Sequence, residues 1–248
     1  MCAAFSPEED TMFEKTGASV FKRLRKTRNP ADLLTVVRSA HKEFDRGYET
    51  APAEVRASVA CRSGCDACCH VPVGVQAHEV LIVAQYVQMH FSPEELNALI
   101  ARALEHRAAF AGLDSAGRTA LRSPCVLLRD GVCSVYAARP EACRSHHSHD
   151  ADACRTNLAR GNEDLDVYVA GLRGRMFAVM LAIDQAVAEA GFDGRAYDFG
   201  SALHEALTDF LSAARWVRRE PTFSESCREA ADGDDGESGV MHAEGYFQ

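Results

Sequence analysis

Four cysteines within nine residues, CRSGCDACC from Cys61 to Cys69, constrain this chain more than any other feature. Cys61, Cys65, Cys68 and Cys69 follow the spacing C-x3-C-x2-C-C, and thiols this close share one centre only if the backbone curls tightly around it. Gly64 supplies the backbone freedom for such a turn. A second group, Cys125, Cys133 and Cys143, lies in CVLLRDGVCSVYAARPEACR. Ten cysteines in 248 residues would suit a disulfide scaffold in a secreted chain. The first residues, MCAAFSPEED, lack the basic flank and apolar run of a secretory signal, and no run of about 18 apolar residues follows. The expectation is a cytoplasmic chain off the membrane, with thiols kept reduced and available to metal.

The rest of the chain reads as helix after helix. A first helix is predicted over about Glu8 to Arg25. Asn29-Pro30 then caps a second, which carries Leu33, Val36, Val37, Ala40 and Phe44 on one face. QAHEVLIVAQYVQMH places Val80, Val83, Ala84 and Val87 along one side of a helix. Ser92, Pro93 and Glu95 form a capping-box start for another that runs to about Phe110. Leu165, Val169, Leu172, Met176, Met180, Ile183 and Val187 mark the longest helix, stopped at Gly191. A last helix is predicted from about Ser201 to Arg218, with Leu203, Leu207, Phe210, Leu211 and Trp216. The one strand signal is the pair of short apolar runs around Asp130-Gly131, a dipeptide that favours a tight hairpin.

The fold class expected is therefore mainly α: an irregular helical domain with a small β-hairpin, built around a cysteine-ligated metal centre. One domain should span 1–227, with its cysteine core at about 61–144. The acidic, Gly-rich 228–248 is expected to be disordered, and its closing EGYFQ resembles a tag remnant.

The hairpin register decides which thiols converge. A two-residue Asp130-Gly131 loop pairs Leu128 with Cys133 and sends Cys125 to the other face, whereas a bulged three-residue loop brings Cys125 and Cys133 together. Cys133 and Cys143 are the preferred partners of the first group. Cys125 is either a ligand or a neighbouring core residue. Cys69, adjacent to Cys68, is either a ligand or turned away.

The motifs CRSGCDACC and SPCVLLRDGVCSVYAARPEACR, with Glu79 between them, resemble the family called the putative zinc- or iron-chelating domain, or CxxCxxCC cysteine-cluster family. All seven cysteines together with Tyr136, Arg139, Pro140 and Arg144 carry the resemblance, over about residues 61–144. Pro124 stands before Cys125 where the family has Pro after it, Val126-Leu127-Leu128 replaces its P-F-L, and the first spacer has three residues. The resemblance implies metal chelation. It also implies a distant relation to a flagellin lysine methylase associated with an iron-sulfur cluster.

Thiolates suit both tetrahedral zinc and cubane iron-sulfur clusters. Three cysteines within eight residues favour a 4Fe-4S cluster, with zinc as the alternative. Such a centre is anionic, and Arg139 and Arg144, flanking Cys143, are placed to offset it. Arg139 could instead cap a helix end, and either arginine could hold a substrate carboxylate or phosphate. Glu79 could be a ligand, a base or an ordinary surface acid, with pairing to an arginine beside the centre preferred, and Tyr136 is read as a further neighbour. His146, His147, His149 and Cys154, in SHHSHDADAC, form either an additional metal site or an exposed polar loop.

The functional reading is a metal-binding protein in a structural, redox-sensing or metal-handling role. The alternative is an iron-sulfur enzyme modifying a protein, such as a lysine methyltransferase. The C-x3-C-x2-C spacing also occurs in radical S-adenosylmethionine enzymes, but the helical pattern lacks their repeated strand-helix units, and no Gly-rich loop follows a strand. The partners expected are metal ions and a protein. A net charge of -9 speaks against broad nucleic-acid binding, although the basic run Lys22 to Arg28 could meet an acidic partner or simply face solvent.

Overall fold

The computed structural model describes residues 5–160 and 166–229. The chain is mainly helical, as its periodicity predicts. Helix α1 (Pro7–Leu24) begins at Ser6, whose hydroxyl accepts the Glu9 N–H while the Glu9 carboxylate accepts the Ser6 N–H. Helix α2 (Pro30–Glu49) starts at Asn29, whose side chain accepts the Asp32 N–H at 2.9 Å. Its predicted face, from Leu33 to Phe44, is buried. A short α3 (Ala53–Ala57) leads into the cysteine loop.

Helix α4 (Ala77–His90) is enclosed on every side over its first two turns, from Ala77 to Ala84, so it runs through the interior rather than along the surface. Helix α5 (Pro93–Phe110) opens with the predicted Ser92 and Glu95 box, and α6 (Ser115–Leu121) follows it. After the hairpin come α7 (Glu141–Ser145) and α8 (Ala151–Arg160).

Helix α9 (Ala170–Glu189), expected to be the longest, equals α2 at 20 residues and packs on α1, α2 and α7. It ends at Gly191, whose φ of 80° lets the Gly191 N–H reach the Ala188 carbonyl and the Phe192 N–H reach that of Val187. Buried Phe192 and Val187 close this C-terminal cap. Leu165, the first residue of the predicted stripe, lies outside the described residues.

Two expectations need correction. The last helix is two, α10 (Phe199–Thr208) and α11 (Ser212–Val217). Asp209 breaks it: its carboxylate accepts the Leu211 N–H and its carbonyl accepts the Ser212 N–H. The break turns Phe210 outward, 90% exposed, while Leu203 and Trp216 stay buried. There is also a second strand pair, which the sequence did not announce. β1 (Gly74–Val75) lies antiparallel to β4 (Tyr197–Asp198), tying the end of the cysteine loop to the start of α10. The predicted hairpin forms as β2 (Leu128–Arg129) and β3 (Val132–Cys133).

Among the described residues, no helix is long and apolar enough to cross a membrane. Of the expected tail, only Arg228 and Glu229 are described.

Candidate metal centre

Three stretches meet around the first cysteine loop. Within it, the Cys65 N–H donates to the Arg62 carbonyl, a turn that places Gly64 at a φ of 82°. No atom lies within 4 Å of the position a Cβ would take there, so backbone conformation, not space, calls for glycine. A single 3-10 turn, Ala67–His70, then carries Cys68 and Cys69. The Cys69 carbonyl accepts the Cys125 N–H at 2.7 Å, joining the first cysteine group to the second.

The hairpin takes the two-residue form. Leu128 pairs with Cys133, and Asp130 and Gly131 both have positive φ, 49° and 72°, as a type I′ turn demands. Alternation would have sent Cys125 to the far face, yet it converges all the same. The Leu128 N–H folds back to the Cys125 carbonyl, so residues 125–128 form a turn and strand alternation ends before Cys125.

Cys68 is the junction of the thiols. It shares a hydrogen bond with Cys69, and its charge reaches Cys61, Cys125, Cys133 and Cys143. That hydrogen bond, then burial, pushes the Cys68 thiol far up. Burial raises Cys61 and Cys133 and takes Cys125 to about 11. Cys143 remains open to solvent but sits in a crowded recess. Desolvation and the facing Cys125, Cys68 and Cys133 push it well up. Thiols that raise one another in this way call for a cation. Among the described residues, however, no three cysteine sulfurs lie within 4.8 Å of one another.

The two arginines divide their roles. Arg139 lies over the Tyr136 ring, 3.9 Å from its centroid, and counteracts the rise of the Cys133 thiol. Tyr136 itself is 64% exposed. Arg144 turns away from the thiols, donating to the Arg139 carbonyl at 2.9 Å and the Ala137 carbonyl at 2.6 Å, which caps the 3-10 turn Tyr136–Ala138. Glu79 departs from its expected pairing with an arginine. It is buried at the start of α4 and accepts the N–H groups of Gln76 and Glu141. Burial, then the nearby Glu141 charge, raises its carboxyl to about 7.

The histidine-rich loop does not gather into a site. His147 stacks on Tyr48, His146 lies edge-on to Tyr168, and His149 is exposed. Cys154 instead approaches the first cysteine group: its thiol meets the Ser148 hydroxyl at 3.1 Å, and the Ser148 N–H donates to the Cys61 sulfur at 3.3 Å.

Sequence reasoning missed a buried cluster behind the recess. His41 of α2 and His78 of α4 both place Nε2 against Glu141 Oε1 of α7, at 2.9 Å and 3.1 Å. Burial opposes ionisation of Glu141, but the two imidazole hydrogen bonds prevail and hold its carboxyl down at about 2. The signal available was a polar side chain on an apolar face: His41 lies four residues after Val37 and three before Phe44, and Asp184 stands between Met180 and Val187.

Residues 60–163 match the family model CxxCxxCC, described as "Putative zinc- or iron-chelating domain". No curated protein and no solved structure matches the chain.

Proposed function

We propose, from the match of residues 60–163 to the model of a zinc- or iron-chelating family, that the thiols meeting at Cys68 hold the metal, and that the metal is an iron-sulfur cluster. The convergence of Cys61, Cys65, Cys68, Cys69, Cys125, Cys133 and Cys143 carries this reading. Support for a cluster over a lone zinc ion comes from the sequence: three cysteines within eight residues, Cys61 to Cys68, wrap one cluster more readily than they form the paired C-x2-C knuckles of structural zinc. When bound, an iron-sulfide core would supply one-electron redox chemistry.

The chain's own contribution is to deliver the ligands and temper their charge. Gly64 turns the first loop, the Cys69–Cys125 backbone bond fixes the second group against it, and Arg139 brings a cation beside Cys133. The role that fits is structural, redox-sensing or metal-handling. The lysine methyltransferase alternative would need a substrate cleft against the thiols, and the clefts between α2 and α4 and beside α6 carry no cysteine.

The test is anaerobic purification followed by visible absorption and metal and sulfide analysis of one sample. The expected result is a sulfur-to-iron band bleached by dithionite, with about four irons per chain, both lost in Cys68→Ser. A colourless protein with stoichiometric, sulfur-coordinated zinc would overturn the cluster and leave a zinc-handling module.

A further inference from the structure

The cluster behind the thiol recess has the composition of a metal site of a different kind. His41, His78 and Glu141 offer one ligand atom each, all within 4.8 Å of one another, from three separate helices. We propose that these three residues form a second metal site, independent of the cysteines, that takes a divalent first-row transition ion.

Four observations converge on it. First, two imidazoles and one carboxylate make a borderline donor set that suits zinc or ferrous iron, and three protein ligands leave coordination positions open. The thiols form a soft set, so the two sites select by different chemistry.

Second, the side chains are sealed in the interior: His78 is 0% exposed, Glu141 1% and His41 4%. Yet hydrogen bonding within the protein does not satisfy them. Glu141 Oε2 is buried with no partner, and so is Oδ1 of Asp184, which lies within electrostatic reach of Glu141 and Glu79. Orphaned oxygens at such depth are costly unless something binds them.

Third, the ionised Glu141 has two further carboxyl groups, Glu79 and Asp184, within electrostatic reach, while the adjacent guanidinium, Arg144, is already engaged with two backbone carbonyls. A divalent cation among them would favour the ionised form of all three.

Fourth, there is a way in. A cleft of about 380 Å³ between α2 and α4, lined by Arg38, Lys42, Tyr86, His90 and Arg144, reaches His41 from outside.

The bland account is a purely structural His–Glu–His hydrogen-bond triad, and metal analysis separates the two. Full-length protein is stripped of metal, reloaded anaerobically with Zn(II) alone, and studied by elemental analysis and zinc X-ray absorption. The wild type, Glu141→Gln and the double variant Cys68→Ser/Cys143→Ser are compared, with circular dichroism to confirm folding. The double variant should retain about one zinc with a nitrogen/oxygen shell at about 2.0–2.1 Å and no sulfur shell at about 2.3 Å. Glu141→Gln should lose that ion and leave any sulfur-bound metal in place. If Glu141→Gln does not fold, Asp184→Asn and the wild-type spectrum serve instead, since the wild type must itself show the nitrogen/oxygen shell. Zinc held entirely by sulfur, or a folded double variant without zinc, overturns the proposal. Failure of the thiol site reads differently, as a missing sulfur shell with the nitrogen/oxygen shell intact.

Discussion

Glu141 and Cys143 stand two residues apart on α7, yet one is sealed among helices and the other faces solvent in a recess. Side chains at i and i+2 of a helix point to nearly opposite sides, so one short helix divides two environments. On the inner side, two imidazoles and three carboxyl groups are fixed by the packing of α2, α4, α7 and α9. On the outer side, thiols are delivered by loops and a two-residue hairpin. The inner set is held in place by the fold itself, whereas the outer set depends on turn chemistry. The two should therefore answer differently to substitution, in stability first and in metal uptake second.

The largest effect should fall on the inner side. Removing the Glu141 carboxylate strands two buried imidazole nitrogens and leaves Glu79 and Asp184 without their neighbour. In metal-free protein Glu141→Ala should cost about 3–5 kcal/mol in urea unfolding. Cys143→Ser, at an open thiol, should cost no more than about 0.5 kcal/mol. Equal losses would mean that the recess is as much a part of the packed core as the buried cluster, and the contrast would collapse.

Next comes the pair of arginines. Arg144 is buried and donates to two carbonyls, so Arg144→Ala should lose about 2–3 kcal/mol. Arg139→Ala should leave stability nearly unchanged but slow alkylation of Cys133, because the guanidinium that favours its thiolate is gone. Mass-spectrometric labelling of Cys133 checks this. A faster reaction in the variant would show that Arg139 shields the thiol rather than activating it.

The pH dependence of metal uptake should differ in steepness. Cys125 is raised to about 11, and Cys61, Cys68, Cys133 and Cys143 are raised as well, so near neutrality each releases a proton when a metal binds. Affinity at the thiols should therefore climb as pH rises from 6 to 8, about tenfold per unit for every proton released. Inside, Glu141 is already ionised and burial holds the His41 imidazole low, so His78, which burial lowers but Glu141 raises on balance, is the ligand that sheds a proton, and uptake there should be shallower. Zinc competition titrations on Glu141→Gln and on the double cysteine variant measure the two slopes. Equal slopes would break the distinction.

Much of the fold was legible because caps and periodicity are local. Ser92 with Glu95, Asn29 with Pro30, and Gly191 each act within one turn of their own helix, and all three fall where they were expected. The split at Asp209 was not legible, since the apolar positions on either side keep helical spacing while one Asp carboxylate captures a backbone N–H. The β1–β4 pair joins residues more than 120 apart in sequence, and two-residue strands leave no alternation to read. The same limit applies to the sites. The cysteines announce themselves by spacing, whereas His41, His78, Glu141 and Asp184 come from four helices, and only their polarity on buried faces hints at them. Cys125 shows a subtler failure: both hairpin registers were open in the sequence, and each was judged by carrying alternation past the point where the strand ends.

The smallest test concerns the loop itself. Gly64 sits at a φ of 82° with open space where a Cβ would go, so alanine there meets no neighbour and pays only for its backbone. Gly64→Ala should cost about 1 kcal/mol, and Gly64→Asn should recover part of that, since asparagine adopts the left-handed region more readily. The metal site should feel the change in proportion: weaker thiol binding in the alanine variant, partial rescue by asparagine, and no change in metal held by the inner cluster. If alanine and asparagine were equally harmless, the turn from Arg62 to Cys65 would be free to adopt another shape. Delivery of Cys61 and Cys65 would then rest on the Ser148 contacts at the far end of the loop.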